Sequence, residues 1–226
     1  LGVSGDGDSA SIGIGQLIHA IRRNVNMVYI LENNGVYGLT KGQYSATADV
    51  GSKKKKGATN ETQPIDLCAM AVNLGCSFVA RSFSGSKKQL TALMKAAMSH
   101  KGFALIDVIS PCVTFNNNDE SLRSYTYVKD NDVELHAYDY IPNQTPIESA
   151  AAPEGEFHDI TLFDGSTLRL ETIGSDHDPS DAMAALNALH KAESEDKHVT
   201  GLLYFDPTKA TATEDQCLVE TPLSEV

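Results

Sequence analysis

Short apolar runs alternate with longer segments of helical period through the first half of the chain. Leu1–Ser4 reads as the end of a strand, and Ser9–Arg23 as a helix with Ile12, Leu17, Ile18 and Ile21 at mostly helical spacing. Met27–Glu32 (MVYILE) is a near-continuous apolar run of strand length. Ile65–Leu74 returns to helical spacing and stops at Gly75, and Ser77–Arg81 is a short strand. Ser86 stands where an N-cap belongs, ahead of a helix running to His100 with Leu90, Leu93, Met94, Ala97 and Met98 inward and Gly102 just past its end. Phe103–Ile109 (FALIDVI) is a further buried strand. The alternation predicts an α/β fold, a parallel sheet with helices on both faces. Functional groups in such sheets gather at the carboxyl ends of the strands.

From about Asn116 the pattern changes. Tyr125–Val128 and Ile160–Leu162 read as extended, and Phe163-Asp164-Gly165-Ser166 has turn chemistry between β-prone runs. Ser180 or Asp181 caps a helix to about Ala192, and Gly201–Phe205 reads as one more strand. The expected division is therefore an α/β domain over 1–115 and a mixed α+β C-terminal extension over 116–226, packed on the first domain or offered to a partner subunit. The stretch Asn33 to Pro64 is too polar and too rich in Gly, Ser and Thr for a core. Loops of that length are usually functional.

Composition narrows the classes. The 226 residues, 41% apolar, suffice for one core and a small second lobe. A net charge of −12, from 30 acidic and 18 basic residues, argues against nucleic acid or an anionic membrane as the main partner. The one basic run, Lys53 to Lys56, reads as a solvated loop. No apolar stretch approaches the roughly 20 residues that span a bilayer. The chain opens at Leu1 within a strand-like stretch, so a preceding segment is expected, and with it any targeting signal. Cys68, Cys76, Cys112 and Cys217 form no CxxC pair, which favours reduced thiols in a cytoplasmic protein. Of these, Cys68 and Cys76 read as core and Cys217 as structural or incidental. The histidines show no metal-ligand spacing; His19, His100 and His190 fall in helical patterns as structural or surface groups.

The chemistry concentrates at two strand ends. Gly5-Asp6-Gly7-Asp8-Ser9 leads into a helix, where small residues and the helix N-terminus favour an anion. Two aspartates there would repel a bare diphosphate, unless one of them holds a divalent cation against it. Mg²⁺ suits that role, because it takes oxygen ligands and is often shared between carboxylate and phosphate. Asn33-Asn34-Gly35-Val36 follows the next strand and can add an amide oxygen and a backbone carbonyl. Alone, either group is an ordinary turn, and an aspartate in a first helical turn stabilises the dipole without any ligand. Together, each after an apolar strand and with 25 residues between Gly7 and Asn33, they are far more specific.

Gly-Asp-Gly, helix, strand and Asn-Asn resembles the thiamine diphosphate fingerprint of transketolases, 2-oxoacid decarboxylases and related enzymes. The resemblance implies that Asp6, the Asn34 side chain and the Val36 carbonyl bind Mg²⁺. It places Gly5, Gly7, Asp8, Gly38 and Leu39 against the diphosphate. NNGVYGLTKGQ (Asn33 to Gln43), FVARSFSG (Phe78 to Gly85), HKGFALIDVISPCVTFN (His100 to Asn116) and TGLLYFDP (Thr200 to Pro207) further resemble the β subunit of 2-oxoacid:ferredoxin oxidoreductases, most strongly the 2-oxoglutarate branch.

That resemblance implies conversion of a 2-oxoacid (2-oxoglutarate or pyruvate), coenzyme A and oxidised ferredoxin into acyl-CoA, CO₂ and reduced ferredoxin, with the thiazolium ring as electron sink. It implies an α subunit carrying the glutamate that activates the aminopyrimidine, so the chain alone is expected to be inactive. It makes Cys112, otherwise readable as a packed core thiol, one ligand of a [4Fe–4S] cluster whose other three cysteines precede this sequence. It sets Lys41 near the entrance for substrate and coenzyme A. The rival expectations are a non-redox thiamine diphosphate decarboxylase or carboligase, and a non-catalytic assembly subunit.

Overall fold

The computed structural model describes residues 1–52, 59–143, 157–172 and 177–216. The Lys53–Lys56 run and Cys217 lie outside the described residues. Along the chain, β1 (Gly2–Gly5) leads through one π-helical turn, Gly7–Ile12, into α1 (Ile14–Arg22). β2 (Met27–Asn33) is followed by a short hairpin, β3 (Val36–Tyr37) and β4 (Gln43–Tyr44). Next come α2 (Leu67–Asn73), β5 (Phe78–Phe83), α3 (Lys87–Met98) and β6 (Phe103–Ile109). The second half holds α4 (Tyr125–Asn131), β7 (Asp132–Glu134), β8 (His136–Ile141), β9 (Phe157–Thr161), β10 (Thr167–Thr172), α5 (Ala182–Ser194), β11 (His198–Phe205) and α6 (Ala212–Asp215).

The main sheet has the order β1-β2-β6-β5-β11-β7. β1, β2, β6 and β5 run parallel, as the alternation predicted, while β11 pairs antiparallel with β5. Both faces of the central strands are apolar, so the period-2 alternation divides two cores instead of core from solvent. Leu31, Val79, Phe103 and Leu105 face α1, α2 and α5. Phe78, Ala80, Ala104 and Ile106 face the alanine-rich side of α3 and the small sheet β8-β10-β9. The Phe163–Ser166 turn joins β9 to β10, closed by a Gly165 N–H to Leu162 carbonyl bond of 3.0 Å, and Asp181 caps α5 through the N–H groups of Met183 and Ala184.

Three expectations fail for identifiable reasons. Tyr125–Val128 is helical: its residues are β-prone, but Ser124 accepts the Tyr127 N–H and nucleates α4, with Val128 buried beneath. The helix expected over Ser9–Arg23 is interrupted at Gly13, whose N–H reaches back to the Asp8 carbonyl at 2.7 Å across the wider π turn. That phase change turns Ile12 outward, to 78% exposure. Met98, expected inward at the last turn of α3, is likewise exposed.

A glycine in β11 makes room for a buried phenol. Gly201 adopts φ +125°, and a Cβ there would overlap the Tyr138 hydroxyl, which accepts the Leu202 N–H at 2.8 Å. Gly201→Ala is expected to cost about 2–4 kcal/mol in denaturant unfolding. His100, buried with Nε2 2.8 Å from the Ser77 hydroxyl, has its pKa pushed down by burial to about 4. The unfolded chain takes up that proton near pH 6.5 and the folded chain only near 4, so this group's contribution to stability falls as pH drops between those values. Asp132, pushed up to about 6 by burial, acts in the opposite direction. The His100 effect is therefore read as the difference between wild type and His100→Gln, with the variant less acid-sensitive between pH 6.5 and 4.

Candidate functional site

Register brings three strand ends together. Gly5 pairs with Glu32 and Asn33 with Ile109, so Asp6, Asn33 and the residues after β6 lie side by side at the carboxyl edge of the sheet. Ser110 N–H continues the pairing by donating to the Asn33 carbonyl at 2.8 Å.

Asp6 is buried and heads the π-helical turn, yet its side chain makes no capping bond. Its Oδ1 accepts the Asn34 N–H at 3.2 Å. Its Oδ2 accepts the Gly35 N–H at 3.1 Å, the Thr47 hydroxyl at 2.6 Å, and the Ser45 hydroxyl. An aspartate serving only the helix would face that helix's own N–H groups. Here the 34–47 loop holds it instead. Asn34 folds into an Asx turn in which its Oδ1 accepts the Val36 N–H at 3.0 Å. Hydrogen bonds thus link Asp6 to Asn34 and Asn34 to Val36.

Beneath them lies a layer of buried charge. Asn33 donates to Asp107 Oδ1 at 2.9 Å; Arg81 Nε donates to Asp107 Oδ2 at 2.9 Å, and its Nη2 to Asp66 at 2.8 Å. Arg123 reaches in from the second half and binds Asn33, Asp49 and the Thr47 carbonyl. Burial works against both arginines, but Asp49 beside Arg123, and Asp66 and Asp107 beside Arg81, hold them above the ordinary arginine value. Burial would raise Asp66, and Arg81 with the Ala69 N–H holds it below the usual carboxylate range. Asp107 and Arg81 were readable as charges inside apolar runs, FALIDVI and FVARSF, which have to be paired. Ser45, Thr47 and Arg123 gave no such signal.

The remaining expected residues are more dispersed. A Cβ on Gly5 would meet open space, whereas one on Gly7 would fall 2.6 Å from the Tyr37 ring. Asp8 is exposed and accepts the Ser4 hydroxyl at 2.7 Å. Gly38, Leu39 and Lys41 form the exposed tip of the β3–β4 hairpin, with Lys41 at φ +74°. Cys112, partly exposed, opens the turn after β6, its carbonyl accepting the Asn116 N–H at 2.8 Å; Phe115 of that turn lies against Gly42 at the hairpin's base. Cys68 and Cys76 are core residues, and burial pushes both thiols up, Cys76 to about 11.

The donor set at Asp6, Asn34 and Val36 is all oxygen, which fits a hard cation such as Mg²⁺. Among the described residues no three His, Cys, Asp or Glu side chains converge as a metal group. A cation at Asp6 would thus share amide, carbonyl and ligand oxygens with that one carboxylate. Cys112 is a partly exposed free thiol.

Residues 1–108 match the family described as thiamine pyrophosphate enzyme, C-terminal TPP binding domain. The chain is similar to β subunits of 2-oxoacid:ferredoxin oxidoreductases. It is 49% identical over 114 residues to the 2-oxoacid:ferredoxin oxidoreductase subunit beta of a Sulfolobus species, covering 50% of this chain and 37% of that one. It is 41% identical over 116 residues to the 2-oxoglutarate oxidoreductase subunit KorB of Mycobacterium tuberculosis, covering 51% and 31%. The matches thus span about a third of these relatives' length. A solved 2-oxoglutarate:ferredoxin oxidoreductase from Magnetococcus marinus, with 2-oxoglutarate, coenzyme A and succinyl-CoA bound, superposes with a TM-score of 0.70 at 30% identity, over 96% of this chain and 60% of that chain. The fold is therefore that of the thiamine pyrophosphate-binding domain. No helix among the described residues is long and apolar enough to cross a membrane.

The Tyr37 ring bars a side chain at Gly7, and a diphosphate beside this turn would bar one too; the two separate experimentally. Gly7→Ala is expected to lose about 1–3 kcal/mol of stability by overpacking. Adding Tyr37→Leu should recover that stability, while thiamine diphosphate affinity stays depressed in both variants. Full recovery of affinity in the double variant would mean that Gly7 serves only the ring.

Proposed function

We propose that the chain is the β subunit of a 2-oxoacid:ferredoxin oxidoreductase, working with an α subunit to convert a 2-oxoacid and coenzyme A into acyl-CoA and CO₂ while reducing ferredoxin. The observation that carries the proposal is the buried Asp6 carboxylate, turned from its own helix and held at Asn34 by the loop that follows β2. In this reading Asp6, Asn34 and the Val36 carbonyl hold Mg²⁺. Gly5, Gly7, Asp8, Gly38 and Leu39 face the diphosphate. Bound thiamine diphosphate supplies the nucleophilic carbon and the electron sink that decarboxylation needs. The chain's share is to fix the diphosphate end and to keep the cation between phosphate and carboxylate.

Two further roles belong to the same proposal. Lys41, a cation at the exposed hairpin tip, meets the carboxylate of the substrate or a phosphate of coenzyme A. Cys112 is one ligand of a [4Fe–4S] cluster, the one-electron acceptor that ferredoxin reduction requires. Residues 1–115 form the cofactor-binding part and 116–226 pack on it and face the α subunit. The names of the relatives and the ligands of the Magnetococcus marinus enzyme favour 2-oxoglutarate as substrate. A cytoplasmic location suits reduced thiols and a soluble electron carrier.

The test is 2-oxoglutarate-driven reduction of methyl viologen by the full-length chain assembled with its α subunit. Reduction should require coenzyme A and exceed that with pyruvate. Cys112→Ser should abolish it, and Lys41→Ala should raise KM for 2-oxoglutarate or coenzyme A about tenfold with a smaller change in kcat. CO₂ release without viologen reduction would make the protein a non-redox decarboxylase. Cofactor binding without either would make it an assembly subunit.

A further inference from the structure

We infer that Thr47 and Ser45, locked in place by Arg123, are positioning residues that assign one oxygen of Asp6 to the protein and the other to the cation. The inference rests on the proposed reading of Asp6 as a metal ligand and adds which atom binds and what keeps it available.

The argument is a count of donors. An ionised carboxylate offers about four lone-pair positions, two on each oxygen. Oδ2 of Asp6 receives three donors, from Gly35 N–H, Thr47 and Ser45. Oδ1 receives one, the Asn34 N–H at 3.2 Å. The Thr47 hydroxyl has a single proton and three acceptors in reach: Asp6 Oδ2 at 2.6 Å, Asn33 Oδ1 at 3.0 Å and Ser45 Oγ at 3.1 Å. Asn33 Oδ1 already takes a proton from Arg123 Nη1 at 2.7 Å, and the contact to the charged carboxylate is the shortest. The proton therefore goes to Asp6. Oδ2 is saturated, and Oδ1 keeps a lone pair for a cation.

Arg123 makes this arrangement rigid. Its guanidinium binds Asp49 through Nε at 2.8 Å and Nη2 at 3.0 Å, the Thr47 carbonyl through Nη2 at 2.6 Å, and Asn33 through Nη1. One side chain thereby ties the 45–49 segment to the end of β2, in a stretch whose composition would otherwise leave it in solvent. Ser45 and Thr47 are both buried as a result. A carboxylate pinned by one oxygen cannot swing to chelate a metal with both. Single-oxygen ligation suits Mg²⁺, which demands near-ideal octahedral geometry, whereas Ca²⁺ readily accepts bidentate carboxylates.

The experiment is a titration of thiamine diphosphate binding with Mg²⁺ and, separately, Ca²⁺, in the full-length chain assembled with its α subunit. Thr47→Val should raise the half-saturating Mg²⁺ concentration about 10–100-fold, as loss of an outer-shell partner does elsewhere, and Ca²⁺ far less. Thr47→Ser, which keeps the hydroxyl, should stay within about threefold of wild type. Thermal unfolding of each variant checks the fold, and Ser45→Ala repeats the test should Thr47→Val fail to fold. Wild-type Mg²⁺ requirements in Thr47→Val and Ser45→Ala, with Asp6→Ala inactive in binding, would overturn the positioning role and leave the metal reading intact. Equal losses for Mg²⁺ and Ca²⁺ would also overturn it, as the mark of a general structural role. Unchanged Mg²⁺-dependent binding in Asp6→Ala would remove the underlying reading itself.

Discussion

The buried carboxylate of Asp6 is the constraint around which the site is arranged. A carboxylate taken out of water costs several kcal/mol unless charge or hydrogen bonds replace the lost solvation. Its hydrogen-bond donors here are neutral, two backbone N–H groups and two hydroxyls. They satisfy one oxygen; Arg123 acts on the carboxylate from a distance but is paired with Asp49, so the negative charge is only partly offset at the carboxyl edge of a parallel sheet. A divalent cation shared with a diphosphate would cancel it, and would also resolve the conflict of an anion approaching a loop that carries two aspartates. The elements that hold the donors in place follow from that requirement: the Asx turn at Asn34, the hairpin above it, and the folding of the 45–49 segment back onto β2.

The deeper charges show a different economy. Each carboxylate there has a guanidinium beside it: Asp66 and Asp107 share Arg81, and Asp49 holds Arg123. Removing Arg81 would strand the buried Asp107 carboxylate, at a cost of about 3–5 kcal/mol. This layer stiffens the floor on which Asn33 and Thr47 stand. It also joins the halves of the chain, since Arg123 comes from beyond residue 115 while β7 and β11 extend the sheet that the first half begins.

Much of this was legible in the sequence, unevenly and for physical reasons. Buried strands announce themselves as apolar runs, so MVYILE and FALIDVI fell where β2 and β6 lie, and their alternation with helical segments implied the parallel order. Asp6 and Asn34 were legible because glycine-flanked polar groups directly after two strand-like runs are rare in combination. Tyr125–Val128 misled because side-chain propensity pointed to a strand while one hydroxyl, that of Ser124, decided for a helix. Ile12 misled because it closes a π turn, whose wider winding takes it out of phase with Leu17 and Ile21. Ser45, Thr47 and Arg123 were invisible for another reason: ordinary polar residues in a polar stretch acquire meaning only when tertiary contacts bury them.

Mn²⁺ in place of Mg²⁺ gives the most direct test of the central claim, because its EPR spectrum distinguishes free from bound metal. In the full-length chain assembled with its α subunit, one Mn²⁺ per chain should bind when thiamine diphosphate is present. Asp6→Asn, which keeps the shape and removes the charge, should lose that bound signal. Equal Mn²⁺ binding in wild type and Asp6→Asn, at the same thiamine diphosphate concentration, would contradict the assignment of the buried carboxylate to the cofactor's metal.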